Sequence, residues 1–316
     1  MKSSSLEGLV FQSVPGFEDH IKKELTFISA CTNGPDLSSR LEQWGPLFYL
    51  DSPLPKGEQV HWRLNAWLNP QKIEFKSINE AAGALREIQR NWAPVFFTQF
   101  RRGALIISKL PSLAQKPRPF PWLLPEAPMG AFTLLDEHTM VASSHCSSPF
   151  PGGAIHFKED REGPPGRAYL KLWEALVRLR HWPGPGERCI DAGASPGSWT
   201  WVLSALGAEV VAVDRAPLDA GIAALPGVSF MRHDAFTLKP GEIGPIDWLF
   251  CDVICYPPRL LEWVEKWLAS GLCKRFVCTI KMQGDPDFDT IRRFAAIPGS
   301  QVLHLYHNKH ELSWIL

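Results

Sequence analysis

The sequence predicts an α/β fold: a seven-stranded, mostly parallel sheet with an antiparallel edge hairpin in the C-terminal half, preceded by a smaller α+β domain. Short apolar runs alternate with helical stretches from about residue 165 onward, as in chains of βαβ units. The last two predicted strands, 302–307 and 312–316, are joined by a connection too short for a crossover, so they should pair antiparallel. The first half, in contrast, is rich in Pro and Trp and its patterns are irregular.

The length of the chain indicates two domains, because it has 316 residues and a domain typically holds about 100–200. Clusters of Pro, Gly and charged residues between positions 147 and 166 mark the boundary. We therefore predict an N-terminal domain over residues 1–155 and a second domain over residues 160–316.

Composition excludes several classes of protein. Lys and Arg total 33 and Asp and Glu total 33, so the chain lacks the net positive charge of a histone-like protein, although a local basic stripe could still contact nucleic acid. The seven cysteines are too sparse for a disulfide scaffold, and without a Cys-x-x-Cys pair or a tight His cluster no metal site is predicted. No signal peptide and no apolar stretch of about 18–20 residues is visible, so we expect a cytoplasmic protein without membrane contact.

Each element of the second half follows from a local pattern. A helix over 168–180 has its apolar residues at helical spacing and stops at the Pro and Gly residues of 183–186. The other predicted helices cover 199–206, 260–269 and 287–296. Apolar runs of strand length, most of them followed by a charged residue, cover 188–192, 209–213, 228–232, 246–251 and 275–280, ahead of the hairpin.

A glycine turn, residues 191–199, follows the first of these strands and opens a helix. Gly193 and Gly197 would let a ligand approach the backbone where a Cβ would clash. The turn has neither G-x-G-x-x-G spacing nor a P-loop Lys-Ser/Thr pair, so we expect a ligand with a carboxylate and a ribose rather than a pyrophosphate. The alternative is that any tight turn between strand and helix requires glycine. The turn residues predicted to contact the ligand are Asp191, Gly193, Ala194, Ser195, Pro196, Gly197, Ser198 and Trp199.

Two further acids follow the next strands of the predicted sheet. Asp214 lies about twenty residues after the glycine turn, where a carboxylate can accept both ribose hydroxyls. Asp234 follows the third strand, where it can reach an adenine amino group. The alternatives are a solvated Asp214 and an Asp234 that caps a helix. Together with the turn, these acids indicate an adenosine-containing cofactor without a long phosphate chain, and S-adenosylmethionine fits best.

Four charged residues are expected at the same rim of the sheet. Lys171 lies on the helix before the first strand, Asp252 ends the fourth strand and Lys281 ends the fifth. Glu311 begins the last strand. Each has an ordinary alternative, because lysines are usually solvated and acids at strand ends often act as caps.

These segments resemble the FtsJ-like RNA ribose 2′-O-methyltransferases, from about residue 160 to the end of the chain. The residues that carry the resemblance are, in chain order, 168–172, 191–199, Asp252, 280–282 and Glu311. The resemblance implies a Rossmann-like domain, S-adenosylmethionine as cofactor, and a catalytic tetrad of Lys171, Asp252, Lys281 and Glu311. The chain is most similar to the bacterial branch that modifies a cytidine of large-subunit ribosomal RNA and carries a THUMP-like N-terminal domain.

Two positions depart from the family pattern. The family usually has two glycines after the proline of the turn, where this chain has Gly197 and Ser198. A serine often precedes the arginine of the first helix, where this chain has Gly166 before Arg167. These departures concern the cofactor contacts and leave the tetrad intact.

The implied chemistry explains the residue types of the tetrad. Methyl transfer is an in-line displacement, and a ribose hydroxyl is a poor nucleophile until it loses its proton. We expect Lys281 to steer and deprotonate the 2′-hydroxyl, with Lys171 lowering the pKa of Lys281. Asp252 and Glu311 would hold the two lysines in place, and Asp252 would also lie close to the methionine part of the cofactor.

The first half contains a basic and aromatic interval, since no acid occurs between Glu87 and Glu126. Basic side chains contact phosphates and aromatic rings stack on unpaired bases, so we predict that this interval contacts RNA. The alternative is that most of the rings form a core. The interval holds the basic residues Arg90, Arg101, Arg102, Lys109, Lys116 and Arg118 and the aromatic residues Trp92, Phe96, Phe97, Phe100, Phe120 and Trp122.

The predicted function is S-adenosylmethionine-dependent ribose 2′-O-methylation of RNA, with ribosomal RNA as the expected partner. Two alternatives stay open: a methyltransferase of another RNA or a small molecule, and a catalytically silent RNA-binding module that kept the fold. Cofactor binding would separate the silent module from the enzymes. The sequence does not indicate the oligomeric state.

Overall fold

The computed structural model describes residues 2–113 and 116–316, and its chain forms two compact units. The first unit comprises Met1–Pro117 and Pro125–His156, and the second comprises Arg118–Leu124 and Phe157–Leu316. The division therefore falls at His156, while one short segment from the first half of the sequence belongs to the second unit.

The first unit contains two five-stranded sheets and three helices among the described residues. Its strands are β1 (Lys2–Ser5), β2 (Leu9–Gln12), β3 (Leu41–Trp44), β4 (Leu47–Leu50), β5 (Asn65–Leu68), β6 (Gln71–Glu74), β7 (Trp92–Pro94), β8 (Gly130–Leu134), β9 (Thr139–Ser143) and β10 (His145–Cys146). Its helices are α1 (Asp19–Thr32), α2 (Ile78–Ile88) and α3 (Phe100–Ile107). The strand orders are β1-β6-β9-β8-β7 and β10-β5-β2-β4-β3.

Helix α2 illustrates how local sequence sets an element of this unit. The Ser77 hydroxyl accepts a hydrogen bond from the backbone N–H of Glu80 at 3.2 Å, and the Glu80 carboxylate accepts one from the N–H of Lys76 at 2.8 Å. These bonds satisfy N–H groups that the helix itself leaves without partners. The helix then buries Ala81 and Leu85 against the sheet that contains β8 and β9.

The second unit contains one seven-stranded sheet and six helices among the described residues. Its helices are α4 (Tyr169–Leu179), α5 (Ser198–Ala205), α6 (Ala220–Ala223), α7 (Pro240–Ile243), α8 (Pro257–Ser270) and α9 (Phe288–Ala295). Its strands are β11 (Arg188–Ala192), β12 (Glu209–Asp214), β13 (Val228–Arg232), β14 (Ile246–Cys251), β15 (Cys273–Lys281), β16 (Gln301–Leu303) and β17 (Glu311–Ile315).

The strand order of this sheet is β13-β12-β11-β14-β15-β17-β16. Strands β11 to β15 pair in parallel, whereas β17 pairs antiparallel with both β15 and β16. The middle strands β11, β14 and β15 are almost continuously apolar and buried, as expected for parallel strands covered on both faces. This arrangement brings the carboxyl ends of β11, β14 and β15 to one edge of the sheet.

The strands of the second unit begin and end close to the predicted positions, with one exception. The sequence predicts a strand over 302–307, but β16 ends at Leu303. The reason is that the backbone N–H groups of Tyr306 and His307 donate to the carboxylate of Glu174, at 3.0 and 3.2 Å, instead of to a neighbouring strand. The chain therefore leaves the sheet and returns at β17.

Glu174 is fully buried and connects α4 to the segment that precedes β17. Besides the two backbone donors, its Oε1 accepts from Nε and Nη2 of Arg178, both at 3.1 Å, and its Oε2 lies 3.0 Å from Nδ1 of His307. Burial would raise the pKa of Glu174, but His307 and Arg178 outweigh burial and lower the pKa below its ordinary value. A charged carboxylate is thus held in the core by surrounding donors.

The segment Arg118–Leu124 packs with the second unit although it lies in the first half of the sequence. The ring of Phe120 stacks on that of Trp173, with centroids 5.0 Å apart and planes 10° apart. The backbone of Arg118 also forms a bridge with Phe157. These contacts explain why the predicted boundary at 155 does not separate all residues of the two units.

None of the helices formed by residues 2–113 and 116–316 is both long and apolar enough to span a lipid bilayer.

We predict that Glu174→Ala destabilises the second unit by about 3–5 kcal/mol, because the change leaves the buried guanidinium of Arg178 and two backbone N–H groups without their acceptor. Unfolding in denaturant measures the effect. Glu265→Ala is the matched control, because it breaks an exposed pair with Arg293 at 3.3 Å and should cost at most about 1 kcal/mol. Equal costs for the two variants would contradict the prediction.

Candidate active site

The four predicted tetrad residues come together at the carboxyl edge of the sheet in the second unit. Nζ of Lys171 lies 3.0 Å from Oδ2 of Asp252 and 2.9 Å from Oε1 of Glu311. Nζ of Lys281 lies 2.7 Å from Oδ1 of Asp252 and 3.3 Å from Oε2 of Glu311. The two amines and two carboxylates therefore alternate around a closed ring, which we call the tetrad ring.

The secondary structure explains why these residues meet. Lys281 and Glu311 are directly opposite each other in the antiparallel pair of β15 and β17, so their side chains share one face. Asp252 directly follows β14, and its backbone N–H donates to the carbonyl of Ala192 at 3.1 Å. Lys171 reaches the ring from α4.

The tetrad ring is largely shielded from water, with between 9% and 18% of each of its side chains exposed. Burial would raise the pKa of Asp252, but Lys171 and Lys281 lower it below its ordinary value. Burial would lower the pKa of Lys281, but Asp252 and Glu311 outweigh burial and raise it. The two carboxylates therefore set the net direction of the Lys281 pKa, and the expected lowering of that pKa by Lys171 stays a prediction.

Thr279 is a member of the site that the sequence analysis missed. It is buried on β15, two residues before Lys281 and on the same face of the strand, and its hydroxyl donates to Oδ1 of Asp252 at 2.6 Å. The hydroxyl gives Asp252 a neutral donor in addition to its two ammonium partners. The signal in the sequence was a polar residue inside the apolar run that precedes Lys281.

The glycine turn lies next to the tetrad ring and is shaped by contacts within the protein. Gly193 has φ +79°, and a Cβ there would lie 2.6 Å from Cγ2 of Val253, the residue after Asp252. Gly197 has φ +122°, and a Cβ there would lie 2.6 Å from Cγ2 of Ile222. Both glycines are thus required by positive φ and close packing against neighbouring side chains, which is the alternative stated above.

The predicted cofactor residues of the turn fall into two groups. Asp191 and Trp199 are interior residues: Thr200 donates to Oδ2 of Asp191 at 2.6 Å, and the indole N–H of Trp199 donates to the carbonyl of Ala168 at 2.9 Å. Burial raises the pKa of Asp191 to about 7, against the opposing Thr200 hydrogen bond. The residues Gly193, Ser195 and Pro196 are partly or fully exposed, whereas Ala194, Gly197 and Ser198 are buried.

The two positions that depart from the family pattern are in contact. The hydroxyl of Ser198 donates to the carbonyl of Gly166 at 3.1 Å. A Cβ at position 166 would lie 3.4 Å from this hydroxyl, which is ordinary contact. This hydrogen bond connects Ser198, the first residue of α5, to the segment before α4.

Asp214 and Asp234 lie at the ends of neighbouring strands and already have partners within the protein. The Asp214 carboxylate accepts from the N–H groups of Ser195 and Ala216, at 3.0 and 2.9 Å. Asp234 accepts from the N–H of Phe236 at 3.0 Å, capping a short 3-10 turn, and lies 3.4 Å from Nη2 of Arg259. Capping by Asp234, the stated alternative, is therefore present.

A carboxylate has about four acceptor positions, so each of these two acids retains acceptor capacity for a ligand. Both are partly exposed and lie along the rim that the glycine turn and the tetrad ring share. These two acceptors fit an adenosine group, whose hydroxyl and amino groups are donors. Among residues 2–113 and 116–316, no group of three or more His, Cys, Asp or Glu side chains is arranged to hold a metal ion.

The basic and aromatic interval is divided between the two units, and its rings are one buried, four half-buried and one exposed. Trp92 is buried, Phe96 packs edge-to-face against Phe132 at 5.5 Å, and Phe120 stacks on Trp173. Phe100, by contrast, is 63% exposed. Most of the basic residues are exposed, namely Arg90, Arg101, Lys109, Lys116 and Arg118.

Residues 165–303 match the FtsJ-like methyltransferase family. The chain is 34% identical over 172 residues to the ribosomal RNA large subunit methyltransferase M of Halorhodospira halophila, covering 52% of this chain and 50% of that protein. It is 33% identical over 187 residues to the protein of the same name from Xanthomonas campestris pv. campestris, covering 55% and 53%.

Among solved structures, the chain is similar to the fibrillarin pre-rRNA processing protein of Methanococcus jannaschii, with a TM-score of 0.37, 18% identity, and coverage of 46% of this chain and 73% of that one. The chain spans about half the length of the curated relatives it matches. The resemblance inferred from the sequence is confirmed: residues 165–303 match the FtsJ-like methyltransferases, and the chain is similar to the ribosomal RNA large subunit methyltransferases M.

Proposed function

We propose that this chain is an S-adenosylmethionine-dependent ribose 2′-O-methyltransferase that acts on ribosomal RNA in the cytoplasm. The observation that carries the proposal is the tetrad ring, in which two lysines and two carboxylates from distant parts of the sequence meet beside the glycine turn. The names of the curated relatives support ribosomal RNA as the substrate.

The residues that would hold the cofactor are those along the rim next to the tetrad ring. The glycine turn and Asp214 would bind the ribose and carboxylate ends, Asp234 would bind the adenine amino group, and Asp252 would lie near the methionine part. When bound, S-adenosylmethionine supplies a methyl group on a positively charged sulfur. The residues of this chain then have to bring the ribose alcohol into line and remove its proton.

In this proposal, Lys281 would bind the 2′-hydroxyl through Nζ and accept its proton. The methyl group that the cofactor would supply would then pass to the oxygen as its bond to sulfur breaks, leaving a neutral thioether. The amine must be neutral to accept the proton, yet its two carboxylate neighbours favour the ammonium form. A cationic ligand beside the ring would oppose those carboxylates and lower the pKa of Lys281. Lys171, Asp252 and Glu311 would act by positioning Lys281 and by balancing its charge.

We also propose that the first unit is a THUMP-like domain that engages RNA. The support is the set of exposed basic residues in its acid-free interval, because such side chains neutralise phosphates. Its aromatic residues support the proposal less, since Trp92 is buried and Phe96 packs against Phe132.

Lys281→Ala should reduce the rate of methyl transfer to RNA by about 100- to 10,000-fold, the usual contribution of a positioned acid or base. Cofactor affinity, measured by isothermal titration, should be unchanged because the glycine turn is untouched. Lys274→Ala is the control, since Lys274 lies on the same strand but is exposed and paired with Asp247. A near wild-type rate in Lys281→Ala would contradict the role of Lys281. Absence of cofactor binding by the wild-type protein would instead favour a silent RNA-binding module.

The methylation rate should increase with pH. Because the carboxylates raise the pKa of Lys281, the neutral fraction of this amine grows about tenfold per pH unit below that pKa. We therefore expect single-turnover rates to rise from about pH 7 to about pH 9. A rate that is constant across this interval would show that no neutral Lys281 is needed.

RNA binding should weaken as salt increases, with each neutralised phosphate contributing about 0.7 to the slope of log affinity against log salt. Replacing both Arg90 and Arg101 by Gln should lower the slope by about 1.4, because two phosphate contacts are lost. Lys22→Gln, an exposed change on α1 outside the interval, is the control. An unchanged slope in the double variant would remove this interval from the RNA-binding surface.

A further inference from the structure

Two apolar side chains beside the tetrad ring are unusually exposed. Ile254 is 75% exposed and Tyr256 is 67% exposed. They are the two most exposed large hydrophobic side chains among the described residues. Both lie between Asp252 and the start of α8. Single exposed hydrophobic residues are common, but a pair at the mouth of a polar site indicates a surface that a ligand covers.

Tyr256 lines a groove formed by the segments that follow Asp252 and Lys281 of the tetrad ring. The groove has a volume of about 310 Å³. One wall consists of Tyr256, Pro257 and Pro258, which follow Asp252, and the other consists of Met282, Gln283 and Gly284, which follow Lys281. Met282 directly follows Lys281, and Tyr256 lies four residues after Asp252, so the lining comes from the segments that follow these two ring residues.

The acidic lining of the groove indicates whether it would bind the phosphate or the base of a nucleotide. No lysine or arginine lines it, and its remaining lining residues are the acids Asp285 and Asp287. The Asp287 carboxylate accepts from the backbone N–H of Thr290 at 3.0 Å and so caps α9. Such a lining disfavours a phosphate, whereas it suits a flat, uncharged base with amino groups along its edge.

Resting on the proposed function, we propose that this groove binds the base of the nucleotide that is methylated, held unpaired and stacked on Tyr256. The base is attached to the sugar carbon next to the one that carries the 2′-hydroxyl. When that hydroxyl lies at Nζ of Lys281, the base must therefore lie within a few ångströms of the ring, and the groove is lined by Met282, the residue after Lys281. Stacking on aromatic side chains is the usual way in which proteins hold splayed-out RNA bases.

The Tyr256 side chain is available for stacking, because its ring does not pack against another ring. Many of the other aromatic rings in the second unit pack against rings, for example Phe120 on Trp173 and Trp248 on Phe250. Among the described residues, the Tyr256 ring has no ring contact, and its hydroxyl makes no hydrogen bond. Its backbone, in contrast, is fixed, because the carbonyl of Tyr256 accepts from the N–H of Arg259 at 3.1 Å in the first turn of α8.

The test compares Tyr256→Ala with Tyr256→Phe on protein-free large-subunit ribosomal RNA transcribed from the gene of the source organism. Loss of one stacking platform should reduce kcat/KM for Tyr256→Ala by about 5- to 150-fold. Tyr256→Phe keeps the aromatic face and should stay within about twofold of wild type. Phe230→Ala, which removes an exposed ring from the opposite edge of the sheet, is the control and should be active.

Cofactor affinity, measured by titration, should be the same in all of these proteins. Wild-type kcat/KM in Tyr256→Ala would overturn the proposal, and so would a parallel loss of cofactor affinity, which would indicate a distorted site. A loss seen only with assembled ribonucleoprotein particles would overturn it as well, because it would indicate a protein contact. If the wild-type chain binds cofactor but methylates no RNA, the proposed function itself fails.

Discussion

The arrangement of the second unit depends on the alternation of charge in the tetrad ring. A buried charge without a partner costs several kcal/mol, but here each amine lies between two carboxylates and each carboxylate between two amines. Such a ring forms only if α4, the end of β14, β15 and β17 converge at one point. The antiparallel register of β15 and β17 places Lys281 opposite Glu311, and it thereby brings two opposite charges of the ring together.

Two contacts outside the ring fix the elements that carry it. Glu174 lies three residues after Lys171, so the two side chains share a face of α4, and its carboxylate holds the segment that leads into β17. On the other side, the positive φ and the missing side chain of Gly193 allow Val253 to pack against the glycine turn. The Glu174 contact places Lys171 relative to Glu311. The packing of Val253 on Gly193 places Asp252 relative to the glycine turn.

The same ring also sets a constraint on the chemistry. Its carboxylates keep the amines in place by stabilising their charged forms, which is the state in which an amine cannot accept a proton. The carboxylates that hold the Lys281 amine in place therefore also make it a weaker proton acceptor at neutral pH. A positively charged ligand beside the ring would lower the pKa of Lys281 and counteract this effect. In the proposed function, a sulfonium cofactor would bring such a charge to the site where the base is needed.

The sequence by itself was sufficient for the seven strands and the four longer helices of the second half, but not for the short helices α6 and α7, and it singled out the four residues that form the tetrad ring. Apolar runs and their terminal charges are local signals, and the chain order Lys171, Asp252, Lys281, Glu311 is a linear pattern. The cap of α2 is local in the same way, because Ser77 and Glu80 are only three residues apart.

Only the tertiary structure decided the direction of the Lys281 pKa, the roles of Thr279 and Glu174, and the reason for the glycines of the turn. Each of these depends on groups that are distant in the sequence but lie within a few ångströms in the fold. Two carboxylates contact the Lys281 amine, and Asp252 accepts from Thr279. Two backbone N–H groups donate to Glu174, and the side chains of Val253 and Ile222 pack against the glycines. The basic and aromatic interval shows the same limit, since its sequence cannot distinguish a ring that stacks in a core from one that faces water. Burial and charge proximity are properties of the folded chain, because they arise from contacts between residues far apart in the sequence.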